Sequence, residues 1–187
     1  MSERSRLIED SIVDLGNLGR FAVRVEFKGK HGEFCYQTAF AACADLPAQE
    51  GTATDEPEWD RTLKRWVIEP GGQVCIGTGV MITHFEDLGV PCPVIAGRVN
   101  SSPVLPRLIV KGRSSLSKKR IYAHMGTIDM DYIDKEIMVI LENRGKKPYI
   151  INVGDRIAQM EMGICLLIPA VEINAIARCG GFGSTGE

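Results

Sequence analysis

Short runs of β-forming residues, separated by turns rich in Gly, Pro and Asn, fill most of this chain after residue 20 and constrain its fold most strongly. Residues 21–27 alternate apolar and polar side chains, which is the pattern of a strand with one buried face. Further β-like runs cover residues 65–68, 73–82, 107–111, 137–141, 149–153, 157–161 and 164–168. Strands at this density favour an all-β domain of the sandwich or jelly-roll type.

The N-terminal segment has a different periodicity. Apolar residues recur at helical spacing between residues 3 and 18, namely Leu7, Ile8, Ile12, Leu15 and Leu18. This spacing predicts a short amphipathic helix, which Gly16 and Gly19 end. We therefore expect an N-terminal helical extension over residues 1–20, a β domain over 21–176 and a flexible C-terminal lid over 177–187.

Two stretches interrupt the β pattern. Residues 49–64 are polar and acidic, and residues 85–106 contain four prolines. Both compositions predict surface loops inserted into the β domain.

Composition excludes several classes of function. A formal net charge of -2 gives no bulk attraction for nucleic acid or anionic membranes, so phosphate chemistry needs a local cluster of cations. The six cysteines form no Cys-x-x-Cys pair, and no His spacing completes a zinc site. We expect free, mostly buried thiols in a soluble intracellular protein of the cytoplasm or nucleus, without nucleic-acid or membrane partners.

Residues 112–116, Gly-Arg-Ser-Ser-Leu, follow a predicted strand. Arg113 can offer a guanidinium fork to phosphate oxygens, while Ser114 and Ser115 add hydroxyl and backbone N–H donors. Taken alone, this combination is as typical of a solvated loop as of a phosphate site.

Residues 126–132, Gly-Thr-Ile-Asp-Met-Asp-Tyr, bring two carboxylates together. In a strand, Asp129 and Asp131 point to the same face, where one can act as a general base and the other can orient it or hold a metal. A polar hairpin with Asp in its turn explains the pattern equally well.

Two further motifs lie toward the C-terminus. Residues 154–160, Gly-Asp-Arg-Ile-Ala-Gln-Met, predict a tight turn that leads into a strand, with Asp155 and Arg156 as a structural pair and Gln159 as a candidate ligand contact. Residues 180–186, Gly-Gly-Phe-Gly-Ser-Thr-Gly, fit either a disordered terminus or a lid that becomes ordered over a ligand.

The order and spacing of these motifs resemble the trimeric dUTPase family. Four motifs, within residues 112–186, match the family pattern, and a fainter first motif at residues 42–46 matches in Ala42, Asp45 and Leu46. The resemblance implies an all-β, dUTPase-like subunit of the β-clip or jelly-roll type, and a homotrimer with shared active sites. It also implies Mg²⁺-dependent hydrolysis of dUTP to dUMP and pyrophosphate.

The resemblance assigns roles to individual residues. Asp129 is implied to be the general base for the attacking water, and Tyr132 to lie against the deoxyribose. The backbone of a hairpin at residues 124–127, including Gly126 and Thr127, is implied to read uracil. The implied phosphate contacts are Arg113, Ser114, Ser115, Gln159, Arg178, Gly183, Ser184 and Thr185, while Phe182 stacks over uracil. Mg²⁺ is implied to be held by the triphosphate and waters, with Asp45 reaching one of those waters.

The chain departs from the family pattern in three places. Ala177 stands where the family has its tail Arg, with Arg178 one position later. Residues 133–137 replace a shorter Arg-Gly segment, and the two predicted insertions are longer than in compact members.

Two alternatives remain open from the sequence. The first is a dCTP deaminase of the same fold, whose chemistry needs a Glu where Ile140 stands and which is a poor match to the tail. The second is a non-catalytic nucleotide-binding regulator, against which the intact set of Asp129, Tyr132 and Phe182 argues.

Overall fold

The structure, a computed structural model, describes residues 20–51, 58–88 and 104–165, together with the backbone of 11–14 and 166. In chain order the elements are β1 (Ser11–Asp14), β2 (Arg20–Phe27), β3 (Ala44–Pro47), β4 (Trp59–Asp60), β5 (Arg65–Ile68), β6 (Gln73–Asp87), β7 (Val104–Lys111), α1 (Ser114–Ser117), β8 (Ile121–Ala123), β9 (Gly126–Ile128), β10 (Glu136–Asn143), β11 (Tyr149–Asn152) and β12 (Arg156–Leu166). The all-β prediction is confirmed. The single helix of the described part is too short to cross a membrane.

The strands form three antiparallel sheets. One has five strands in the order β1-β2-β6-β10-β8, one has three in the order β11-β5-β4, and one has four in the order β3-β12-β7-β9. Because β9 follows β8 along the chain but pairs with β7, the chain passes from the five-stranded to the four-stranded sheet between these two short strands.

Alternating burial along the strands builds the core. Burial alternates at every residue of β7 and β10, so each strand turns one face inward. The largest fully buried side chains include Trp66, Phe21, Leu46, Ile76 and Leu141. Burial of an aliphatic or aromatic side chain of this size contributes about 1.5–3 kcal/mol, which makes this core the main source of stability.

The long strand β6 is fixed to β10 at its middle. The Thr78 hydroxyl donates to the Ile137 carbonyl at 2.6 Å, and the Glu136 carboxylate accepts from the Gly79 N–H at 2.6 Å. Gly79 has φ +70, and a Cβ placed there would lie 2.4 Å from the Cα of Gly29. Only glycine fits this combination of left-handed backbone and close packing.

The predicted N-terminal helix is wrong where the structure describes this segment. Ser11–Asp14 form β1, which pairs antiparallel with β2 in the five-stranded sheet. Pairing with β2 supplies backbone hydrogen bonds that overrode the weak helical periodicity. The other residues of the predicted helix lie outside the described part of the chain.

The predicted strands are confirmed, with one correction. Residues 157–161 and 164–168 were interpreted as two strands, whereas 156–166 form the single strand β12. Gly163 does not interrupt it, because Met162, Gly163 and Ile164 all stay in register with β7.

Parts of the two predicted surface loops belong to strands or to the core. Residues 58–64 contain β4 and the turn into β5, and Trp59 packs on Trp66 with ring centroids 5.0 Å apart. Gln49 is buried, with its side chain bonded to the backbone of residues 30 and 31. Residues 85–87 belong to β6 and residues 104–106 to β7, while 52–57 and 89–103 lie outside the described residues.

The thiols are more exposed than expected. The four cysteines in the described residues, Cys35, Cys43, Cys75 and Cys165, form no disulfide and are half-buried rather than buried.

Candidate active site

The four-stranded sheet carries four of the five predicted motifs on neighbouring strands. Across it, Asp45 of β3 pairs with Gln159 of β12, which pairs in turn with Lys111 of β7, the residue two before Arg113. In the next row Val110 of β7 pairs with Gly126 of β9. Motifs separated by more than one hundred residues in the chain therefore meet along two adjacent rows of one sheet.

Asp45 binds two arginines. Its side chain is only 6% exposed, and its two oxygens lie 3.0 Å from Arg113 Nε and 3.2 Å from Arg156 Nη1. A buried carboxylate needs such partners, because an isolated charge would lose its hydration without compensation. Asp45 thus joins the first, second and fourth motifs into one cluster.

Arg113 is held in place at three points. Besides its contact with Asp45, its Nη1 donates to the Arg156 carbonyl at 2.9 Å. Its own carbonyl accepts the N–H groups of Leu116 and Ser117, which begins α1 directly after β7. A guanidinium fixed in this way loses little further freedom on binding phosphate. Ser114 and Ser115, which follow it, are exposed.

Arg156 is a functional candidate whose partner the sequence interpretation assigned wrongly. Asp155 does not pair with it in the structure. Instead the Asp155 carboxylate accepts from the Asn152 N–H at 2.9 Å and closes the turn at Gly154, which has φ +82. Arg156 turns to Asp45 and to Gln37, whose Oε1 lies 2.7 Å from Nη1. Sequence adjacency pointed to Asp155, and only the pairing of β3 with β12 reveals the true partner.

Gln159 lies half-buried next to a second charged cluster. The Lys111 amine binds the Glu161 carboxylate, which also accepts from the Cys43 thiol at 3.4 Å. The bond from Lys111 lowers the pKa of Glu161. Burial, followed by the hydrogen bond to Glu161, raises the pKa of Cys43. This cluster keeps a neutral thiol and a paired carboxylate beside Gln159, so it adds no net charge at this edge of the site.

Residues 124–127 do not form the expected hairpin. β8 pairs with β10 and β9 pairs with β7, so the segment between them links two sheets instead of closing a paired turn. The pairing of each short strand with a longer one therefore decides the conformation of this segment. Gly126 is half-buried and Thr127 is exposed, at the start of β9.

Asp129 and Asp131 lie beyond the end of β9, in a turn; the sequence leaves a strand and a turn equally open. The turn is closed by the Tyr132 N–H, which donates to the Asp129 carbonyl at 3.1 Å. Met130, 5% exposed, anchors the turn in the core, while Asp129 stays exposed. Tyr132 is half-buried, with its hydroxyl 3.5 Å from the Glu136 carbonyl and the Lys135 amine 5.4 Å from its ring centroid.

The position at which a dCTP deaminase needs a glutamate carries no acidic residue. Ile140 is half-buried on β10, and Glu142, the next residue on the same face, is held by Arg144 at 2.7 Å. The bond from Arg144 lowers the pKa of Glu142, which keeps this carboxylate ionised and unsuited to deliver a proton.

No group of three or more potential metal ligands occurs among the described residues. Asp45, the predicted contact to Mg²⁺ through water, has both oxygens beside arginines. Asp45 and its two arginines do not form a metal site made of protein ligands alone. They fit an Mg²⁺ ion whose ligands are mostly phosphate oxygens and waters. The predicted tail residues Arg178, Phe182, Gly183, Ser184 and Thr185 lie outside the described residues.

Comparison with known proteins agrees with this arrangement. The dUTPase family model matches residues 62–186. A deoxyuridine 5'-triphosphate nucleotidohydrolase of Desulfitobacterium hafniense (strain DSM 10664 / DCB-2) is 37% identical over 158 residues, which is 81% of this chain and 85% of that protein.

Two solved structures share the fold. The dUTPase of Streptococcus mutans superposes with a TM-score of 0.54 at 22% identity, over 78% of this chain and 98% of that one. A mutant dUTPase from phage phi11 of S. aureus, whose structure shows the coordination of a structural Mg(II) ion, gives a TM-score of 0.55 at 15% identity, over 83% and 99% of the two chains. The match of the family model to two thirds of the sequence decides the assignment, and this chain belongs to the dUTPase family.

Proposed function

We propose that this protein hydrolyses dUTP to dUMP and pyrophosphate. The observation that carries the proposal is the match of the dUTPase family model to residues 62–186, a range that contains the second to fifth motifs. The joining of Asp45, Arg113 and Arg156 on one sheet supports it, because the residues of separate motifs are in contact in the folded chain.

Asp129 acts as the general base in this proposal. Its carboxylate takes a proton from water as the water oxygen attacks the α-phosphorus. The bond from that phosphorus to the bridging oxygen breaks, and pyrophosphate leaves with the electron pair. The Asp129 side chain suits this role because it is exposed at a turn that the hydrogen bond from the Tyr132 N–H closes, where a water can reach it.

Tyr132 and the start of β9 select the nucleoside. The Tyr132 ring lies against the deoxyribose and leaves no space for a 2′-hydroxyl, so that UTP is rejected. The backbone at Gly126 and Thr127 reads the edge of uracil by fixed donors and acceptors. A site that pairs with every polar group of one base rejects another strongly, because the wrong base leaves buried groups unpaired.

The phosphate chain contacts the cluster around Arg113. Arg113, Ser114, Ser115 and Gln159 offer donors to the phosphate oxygens, and Asp45 holds the guanidinium in place. Mg²⁺ would be held mainly by the triphosphate and by waters, and Asp45 would reach one of those waters. When bound, the ion would neutralise charge on the phosphates and hold the triphosphate in one geometry.

The complete site needs more than the described residues of one subunit. We propose a homotrimer in which the sites are shared, and a C-terminal lid in which Phe182 stacks on uracil. Arg178, Gly183, Ser184 and Thr185 then contact the phosphates. This part of the proposal rests on the family pattern alone.

A product assay with dUTP, dCTP and UTP in the presence of Mg²⁺ tests the function. We expect pyrophosphate from dUTP, and turnover of UTP and dCTP lower by about 10²-fold or more, since the 2′-hydroxyl of UTP has no space beside Tyr132 and the base of dCTP leaves polar groups of the site unpaired. Ammonia release from dCTP would instead establish the deaminase alternative. Binding of dUTP without any product would establish the regulator.

A further inference from the structure

A cavity of about 560 Å³ lies outside the candidate active site. The residues around it are mainly cationic or aromatic: Lys118, Lys119, Arg120, Asn143, Gly145, Lys146, Lys147, Pro148 and Tyr149. None of these is a predicted site residue. Five cations therefore line one open cavity in a chain whose formal net charge is -2.

The cations lack acidic partners. Within the described residues, no carboxylate forms an ion pair with Lys118, Lys119, Arg120, Lys146 or Lys147. The nearest acid in the sequence, Glu142, is already bound to Arg144 at 2.7 Å. Like charges gathered without counter-charges repel one another, and a polyanion in the cavity relieves that repulsion.

Buried hydrogen bonds hold the two cationic segments together. Asn143, 1% exposed, donates to the carbonyls of Lys147 and Ile68 at 2.9 and 2.7 Å and accepts from the Gly145 N–H at 2.8 Å. The Arg144 N–H donates to the Arg120 carbonyl at 2.9 Å. The cations are therefore presented by a fixed backbone and not by free chain ends.

Arg120 occupies a strained position. Its φ of 63 lies in the left-handed region, where glycine or asparagine is favoured, and a larger residue costs about 1 kcal/mol. A cation is present at this cavity edge even though glycine would suit the backbone better.

Two tyrosines lie beside cations, one in the cavity wall and one next to the cavity. The Lys119 amine lies 5.5 Å from the ring centroid of Tyr149 in the cavity wall. On the neighbouring strand β8, the Arg144 guanidinium lies 5.2 Å from the centroid of Tyr122, which is 37% exposed. Cationic grooves interleaved with aromatic rings are typical of surfaces that bind unpaired nucleic-acid strands, with phosphates on the cations and bases on the rings.

We propose that this cavity, which we call the basic groove, binds the phosphodiester backbone of single-stranded nucleic acid. Sequence preference is weak, because the cavity offers charge and ring faces but no set of fixed polar groups to read base edges. The formal net charge of -2 predicted no nucleic-acid partner. This proposal departs from that prediction, because the five cations of the basic groove give it a local positive charge. The proposal does not depend on hydrolysis of dUTP.

Fluorescence anisotropy with labelled strands of about 20 deoxythymidines or deoxyadenosines tests the proposal. We expect similar affinity for both strands, and a steep loss of affinity between about 50 mM and about 200 mM salt. The Lys146→Ala/Lys147→Ala variant should bind about tenfold more weakly at the lower salt and lower the slope of log affinity against log salt by about 1.4. Lys28→Ala/Lys30→Ala, which removes the same charge from another exposed segment, should bind like the wild type.

Arg120→Gly separates binding from folding. It relieves the backbone strain and removes one cation, so we expect a melting temperature no lower than that of the wild type together with weaker binding. Turnover of dUTP should stay within about twofold of wild type in these variants, because the groove shares no residue with the candidate active site.

Three results would overturn the proposal. One is the absence of strand binding by the wild type at the lower salt, and another is equal binding by Lys146→Ala/Lys147→Ala. The third is equally strong competition by polyglutamate, inorganic phosphate or duplex DNA of matched charge, which would assign the groove to an acidic peptide, a small anion or a duplex.

Discussion

Arg113 Nε lies 3.0 Å from one oxygen of the Asp45 carboxylate, although 68 positions separate the two residues in the sequence. Arg156 lies 3.2 Å from the other oxygen. This shared carboxylate explains how an arginine proposed to bind phosphate is held in a fixed orientation before the substrate arrives. The first predicted motif therefore has a structural role in addition to the proposed contact with Mg²⁺-bound water.

Replacement of Asp45 by Asn should weaken both folding and substrate binding. The amide keeps the size of the side chain but leaves two guanidinium groups without their counter-charge, and we expect a loss of about 2 kcal/mol in the free energy of unfolding. The KM for dUTP should rise about tenfold because Arg113 is no longer fixed. Urea unfolding and steady-state kinetics measure the two effects. Glu86→Gln, at an exposed pair with His84, is the control and should change neither.

Gln49 should be important for stability despite its position in a stretch that the sequence marks as a loop. Its side chain accepts from the N–H groups of residues 30 and 31 and donates to the His31 carbonyl at 2.7 Å. Gln49→Ala leaves these groups without partners, and we expect a loss of about 2 kcal/mol in the free energy of unfolding. The exposed Gln73→Ala provides the comparison; a loss of equal size in both variants would contradict this account.

Two glycines with nearly the same backbone conformation should respond differently to alanine. Gly71 has φ +77 with nothing within 4 Å of an added Cβ, whereas at Gly79 (φ +70) the Cβ would meet the Gly29 backbone at 2.4 Å. We expect Gly71→Ala to cost about 1 kcal/mol and Gly79→Ala about 3 kcal/mol. Thermal unfolding of the two variants side by side measures the difference. Equal melting temperatures would show that the packing of β6 against residue 29 is not as described.

The ion pair of Glu142 with Arg144 should make stability depend on pH. Because the folded-state pKa of Glu142 is lowered from 4.5, its contribution is present above that value and is lost as the pH falls through the folded pKa. The difference in melting temperature between wild type and Glu142→Gln should therefore be largest near neutral pH and shrink on acidification below about 4.5. The exposed Glu69→Gln should show no such trend, and a difference that grew on acidification would reverse the sign we assign.

The sequence predicted most of the strands because β-forming residues gather in short runs between turns. Residues 21–27 form β2 as predicted, although residues 21–23 are all buried and burial does not follow the alternation of the sequence. The apolar run 137–141 lies in β10, where burial does alternate. The helix predicted around Ile12 failed because pairing with β2, a contact between segments, decides the conformation there. Local periodicity does not contain that information.

In the candidate site, too, local motifs could be read from the sequence, whereas contacts between distant segments could not. Arg113 and Gln159 could be selected from their motifs, and the structure brings both to Asp45: Gln159 of β12 pairs with it, and Arg113, two residues past the end of β7, binds its carboxylate. The partner of Arg156 could not be predicted, because the nearest acid in sequence, Asp155, is used to close its own turn. The sequence also could not decide between a strand and a turn at Asp129, since β9 is too short for its end to be visible in the pattern.

The most direct test of the central claim is pyrophosphate release from dUTP by Asp129→Asn compared with Asp131→Asn. Both substitutions remove one carboxylate from the same exposed turn, but only the first removes the proposed base. We expect Asp129→Asn to lower kcat by about 10²-fold or more with dUTP binding retained, and Asp131→Asn to stay close to the wild type. Undiminished turnover by Asp129→Asn, or no release of pyrophosphate from dUTP by the wild-type protein, would contradict the account.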